Sequence, residues 1–224
     1  MSTKLSLEAV KLEGVLSSWR PREPVNTVTH ALGVVAGVVL GAVFVARGQT
    51  HWTVLVFALS FIALYSASSV YHALDGHERR VKNLKRLDHS AIFLLIAGTY
   101  TPVLYFALPE PWRWVAMIAV WGIALVGITL KWSLELPEWL SLTLYVLMGW
   151  IAVALLPVLV SALPRAAFVA LVIGGALYTL GVPFFATRRT RPYLRGWGPH
   201  EVWHVFVLGG SAAHALMVLM LPLA

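Results

Sequence analysis

The sequence of 224 residues contains no cysteine, so neither disulfides nor thiolate metal ligands are part of its chemistry. Any metal it holds must be bound through nitrogen and oxygen. Charge is scarce as well: Asp, Glu, Lys and Arg make up 12% of the chain, against 59% apolar residues. An ordinary soluble domain carries about 25% charge and roughly 45–50% apolar residues. Alternating strands of about ten residues, the signature of an outer-membrane barrel, are absent. Residues 1–24 lack the uncharged apolar core and small-residue cleavage site of a signal peptide, because Lys4, Glu8, Lys11, Glu13, Arg20, Arg22 and Glu23 interrupt them. There is no internal repeat, low-complexity segment or second domain. What remains is an all-α, polytopic membrane protein.

Long apolar runs fill the rest, and about 20 apolar residues suffice to cross a bilayer as a helix. Seven spans are predicted, at 25–46, 52–73, 89–108, 113–131, 139–160, 165–186 and 201–222. Proline, glycine and charge mark the breaks, including Asp75 to Leu87 and Leu108-Pro-Glu-Pro-Trp112. Residues 25–224 thus form a seven-helix transmembrane domain whose short loops make consecutive helices antiparallel neighbours. Residues 1–24 are a tail, either a short amphipathic helix on the membrane surface (Leu5, Val10, Leu12, Val15, Leu16, Trp19) or a frayed charged segment.

Lys and Arg set the orientation. Fourteen of the seventeen fall on the side of the N-terminal tail, in Lys4 to Arg22, Arg79 to Arg86, Lys131 and Arg188 to Arg195. Only Arg47, Arg113 and Arg165 fall on the other side. The positive-inside rule then puts the N-terminus in the cytoplasm and the C-terminus outside. The net charge of +7 follows from this topology and calls for no nucleic-acid partner. Gly33, Gly37 and Gly41, four residues apart, suit a close helix pair within one chain or between two. Most tryptophans sit at span ends as interfacial anchors.

Three histidines carry the chemistry. His200 and His204 open span seven at i, i+4, and His72 closes span two in Ser68-Ser-Val-Tyr-His72. Residues four apart lie within about 40° around a helix, so His200 and His204 can aim at one point. The topology places His72, His200, His204 and Asp88, at the start of span three, at one depth on the cytoplasmic side. Histidines in spanning helices are rare and costly, so such a cluster is a site by default. Three imidazoles with one open position suit a catalytic zinc. The bland alternative is interfacial histidines bonding lipid headgroups or neighbouring helices. His200-Glu-Val-Trp-His204 also spells the soluble zinc-protease motif, yet His214 lies about 15 Å along the helix from His204, too far to be the third ligand.

Together with Asp88-His-Ser-Ala-Ile-Phe-Leu-Leu-Ile-Ala-Gly-Thr-Tyr-Thr-Pro102 and Asn26-Thr-Val-Thr-His30, these motifs resemble the hemolysin III family. That family is the bacterial branch of the progestin and adipoQ receptor (PAQR) family, in a wider group with the alkaline ceramidases. The resemblance runs from Pro24 onward and implies a multi-pass protein of the bacterial plasma membrane. It implies a zinc ion on His72, His200 and His204, with Asp88 orienting the attacking water and Ser68 facing the same site. Asp88 would then act as general base, and Ser68 would stabilise the oxyanion or hold the carboxylate. Membrane lipids become the expected partners, and hydrolysis of a lipid amide or ester the expected reaction.

Two other functions compete. One is the pore-forming cytolysis that named the family, although no ring of pore-lining charge supports it. The other is a receptor or sensor in which the metal is structural. Glu201 fits a solvated residue at a helix N-terminus better than a partner orienting a histidine. His30 and His89 stand between packing or hydrogen bonding near the site and a direct role. His214 is expected to make an interhelical hydrogen bond, His51 and His77 to lie in loops, and Pro102 to kink span three.

Overall fold

The computed structural model describes residues 20–134, 136–186 and 197–222. The tail up to residue 19 and the arginines of 188–195 lie outside the described residues. Eight helices follow one another: α1 (Pro24–Ala46), α2 (Trp52–Ala73), α3 (Glu78–Ala107), α4 (Trp112–Ser133), α5 (Glu138–Ala154), α6 (Leu156–Ala162), α7 (Arg165–Ala186) and α8 (Pro199–Leu219). Six are long and apolar enough to cross a membrane, and the bent pair α5–α6 makes a seventh span when counted as one. The fold is the all-α multi-pass bundle expected, with no β-strand among the described residues.

Two elements differ from expectation. The segment from Glu78 to Leu87, expected as loop, is the first third of α3. Hydropathy marks where a helix enters lipid, whereas the backbone is already helical. His77 caps α3 by accepting the Arg80 N–H at 3.2 Å, and Glu78 suits the positive helix end. At 30 residues α3 is about 45 Å long, well beyond a hydrocarbon core of about 30 Å. The fifth span is instead broken at Leu155, with a 59° bend between α5 and α6. Pro157 removes an N–H and crowds the preceding turn. Just before it, the Tyr100 hydroxyl from α3 donates to Met148 O and Gly149 O and accepts from the Ala152 N–H. A side chain inserted into the helical ladder bends it. Span three runs unbroken through Pro102. Thr99 and Thr101 bond back to Leu95 O and Ala97 O, each at 2.8 Å.

Around the bundle, α1 packs against both α2 and α8, α3 covers α2, α4 covers α3, and α7 covers α8. Gly33 and Gly37 make the α1–α2 approach possible: a Cβ at Gly33 would meet the Tyr65 ring, and one at Gly37 would meet Phe61 and Ile62. Gly41 faces open space. Tyr65 passes over Gly33 and reaches α8, where its hydroxyl donates to Ser211 Oγ at 2.8 Å. Gly48, at φ +69°, ends α1 in the left-handed conformation while Gln49 N–H bonds Phe44 O. The Gln49 amide then donates to Leu219 O and Leu221 O. Thus α1 is tied to α8 at the end of the bundle away from the histidines.

Candidate metal centre

The end of α2 and the start of α8 carry the cluster. His72 occupies the last turn of α2, and His200 and His204 occupy the first two turns of α8. Their ring centroids are 5.2 Å (His72–His200), 4.8 Å (His72–His204) and 4.7 Å (His200–His204) apart. One ring nitrogen from each lies within 4.8 Å of the others, and among the described residues no other such trio occurs. His72 is 1% and His204 2% exposed. His72 Nε2 and His204 Nδ1 are buried with no protein partner. An unpaired buried nitrogen is costly unless something satisfies it. An all-imidazole set with two orphaned nitrogens fits a borderline cation such as zinc.

His72 is held from behind. Its Nδ1–H donates to Glu23 Oε2 at 2.7 Å, which leaves Nε2 free to face the α8 pair. Glu23 precedes α1 and is pinned to the end of α2 through Glu23 N–H to His72 O at 3.0 Å. Arg22 adds a hydrogen bond to Tyr71 O at 2.8 Å. Burial alone would raise the Glu23 carboxyl. The hydrogen bond from His72, the Asn26 amide and Arg22 outweigh it and hold the group at about 2. The carboxylate therefore stays ionised.

Asp88 and Ser68 are both buried, on the two neighbouring helices α3 and α2. Ser68 lies one helical turn before His72 on α2, and Asp88 lies about three turns into α3. His30 of α1 is stacked on His204, with ring centroids 3.7 Å apart and planes at 16°, and neither of its nitrogens has a protein partner. His89, next to Asp88, points about 100° away around the helix. Its carbonyl accepts the Tyr145 hydroxyl at 2.9 Å. His214 donates to Leu171 O at 3.2 Å, the interhelical bond expected of it. His51 and His77 prove to be helix N-caps.

Glu201 corrects the expectation of a solvated residue. It does stand at the start of α8, accepting the Gly198 N–H at 2.7 Å. Its other oxygen accepts from Asn26 Nδ2 at 3.0 Å, linking α8 to α1. Glu23 is the residue whose place the sequence did not single out, and Asn26 entered only as the first residue of a family-like motif. The available signal was a carboxylate directly before an apolar span, three residues ahead of an asparagine, on the same side as the histidines.

Residues 18–215 match the haemolysin-III-related family over nearly the whole bundle. The chain belongs to that family. It is 35% identical over 204 residues to the "Hemolysin-3 homolog" of Bacillus subtilis (strain 168), covering 88% of this chain and 92% of the relative. With "Hemolysin-3" of Bacillus cereus it shares 34% over 211 residues, 90% of this chain and 93% of the relative. More distant similarity extends to the "Adiponectin receptor protein" of Drosophila melanogaster, 25% identical over 84% of this chain and 48% of that longer protein. The haemolysin-III-related chain is therefore a PAQR-like, multi-pass membrane protein with three histidines placed to hold a metal.

Proposed function

We propose that the protein is a zinc-dependent hydrolase of the bacterial plasma membrane, ceramidase-like in acting on a lipid amide or ester. The observation that carries this reading is a trio of histidines with a buried carboxylate and hydroxyl on the adjoining helices. His72, His200 and His204 gather with orphaned nitrogens on His72 and His204. A buried hydroxyl, Ser68, and a buried carboxylate, Asp88, stand on α2 and α3, the helix that supplies His72 and the one that covers it. When bound, zinc supplies Lewis-acid chemistry, polarising a carbonyl and making water acidic near neutral pH.

The chain's own groups do the rest. Asp88 takes a proton from the attacking water. Ser68 stabilises the oxyanion or holds the carboxylate in place. Water oxygen bonds to the carbonyl carbon, the C–N or C–O bond breaks, and the proton taken by Asp88 passes to the leaving nitrogen or oxygen. Lipid supplies the substrate directly, because the spanning helices expose apolar side chains such as Val35, Val39 and Leu180.

The test is metal content and turnover of the purified chain beside a His200→Ala/His204→Ala double variant. The expected result is about one zinc per wild-type chain, lost in the variant, with cleavage of a member of a lipid amide and ester panel. Metal-free, well-folded wild type overturns the reading.

A further inference from the structure

We infer that Asn26 clamps the site: Glu23, Asn26 and Glu201 form a carboxylate–amide–carboxylate bridge that positions the histidines of two separate helices for one ion. The inference rests on the metal reading above. Helices α2 and α8 each lie against α1, so the first turn of α1 sits where it can set their relative position. Asn26 is 1% exposed, and both hydrogens of its amide are used. One goes to Glu23 Oε2 at 2.9 Å and the other to Glu201 Oε1 at 3.0 Å.

Each carboxylate in turn controls one half of the ligand set. Glu23 Oε2 also accepts His72 Nδ1–H at 2.7 Å, which fixes the tautomer and rotation of the α2 histidine. Glu201 Oε2 accepts the Gly198 N–H at 2.7 Å, which fixes the first turn of α8, where His200 projects. A carboxylate behind a ligating histidine orients it and raises its basicity. Here one such support, Glu23 behind His72, is joined through Asn26 to Glu201, which fixes the start of α8.

Asparagine suits this place chemically. Two carboxylates facing each other repel, and an aspartate between them would add a third charge with no donor. An amide nitrogen supplies two donors and no charge. Loss of that bridge frees α2 and α8 to drift apart, and an ion bound by both helices senses the loss directly.

The experiment measures zinc affinity of the full-length protein in detergent by chelator competition, together with metal-free thermal unfolding. The variants are Asn26→Ala, Glu23→Gln and Glu201→Gln, with His204→Ala as reference. The expected result is about 10- to 100-fold weaker zinc binding in Asn26→Ala and Glu23→Gln. Their stoichiometry stays unchanged and their metal-free unfolding stays close to wild type. Glu23 bonds His72 directly, whereas the partners of Glu201 are Asn26 and Gly198. Equally weakened zinc binding in Glu201→Gln therefore reports on the bridge itself and remains decisive should Asn26→Ala fail to fold. Zinc affinity within about twofold of wild type in Asn26→Ala or, should that variant fail to fold, in Glu201→Gln overturns the clamp and leaves the metal centre standing. Wild type that binds no zinc overturns the metal reading itself.

Discussion

Glu23 and His72, 49 residues apart in sequence, share a hydrogen bond from Nδ1–H to Oε2 at 2.7 Å. The bond decides which nitrogen of His72 faces α8. It also makes the start of α1 part of a site whose ligands come from α2 and α8.

Metal should stabilise the fold. An ion that binds only the folded state at about 100 times its dissociation constant adds about 2.7 kcal/mol. Chelation should therefore lower the unfolding temperature of wild type and leave that of His204→Ala unmoved. Differential scanning fluorimetry in detergent, with and without chelator, checks this.

Asp88→Asn should separate binding from chemistry. The amide keeps the shape of the carboxylate but cannot take a proton. Zinc content should stay near the wild-type value while turnover falls by about 10²–10⁴-fold. Equal turnover would remove Asp88 from the general-base role.

Gly33→Ala should destabilise the bundle by about 1–3 kcal/mol, because the new Cβ collides with the buried Tyr65 ring. Gly41→Ala, which meets open space, should change stability by less than about 0.5 kcal/mol. Unfolding of the two variants side by side distinguishes a packing effect from a generic glycine effect.

Tyr65→Phe removes a hydroxyl from Ser211, which keeps its bond to Tyr178 at 2.7 Å. The expected loss is about 0.6 kcal/mol, the average for interhelical hydrogen bonds in membranes. A loss several times larger would mean that the Tyr65 hydroxyl carries more than this one bond.

Orientation is open to a direct check. The Lys and Arg bias predicts that a C-terminal reporter is active outside the cytoplasm and an N-terminal one inside it. A C-terminal fusion active only in the cytoplasm would reverse the side on which the histidines lie.

Composition and hydropathy alone determined the membrane class and five span positions to within a few residues, because burial in lipid needs only a long apolar run. The i, i+4 pair of His200 and His204 was likewise legible, since one helix fixes its geometry. Helix ends outside lipid were not. The first turns of α3 are charged, and capping by His77 extends the helix where hydropathy falls silent. Nor was the break at Leu155 legible in full, because Pro157 marked only half its cause and Tyr100 arrives from another helix.

For the site, sequence named the imidazoles, and tertiary structure alone chose what holds them. Which helices lie side by side is a property of packing, so a carboxylate at position 23 gains its meaning only when α1 lies between α2 and α8. Glu201 changed character for the same reason. At a helix N-terminus local chemistry gives it one partner, Gly198, and the neighbouring helix supplies the second, Asn26.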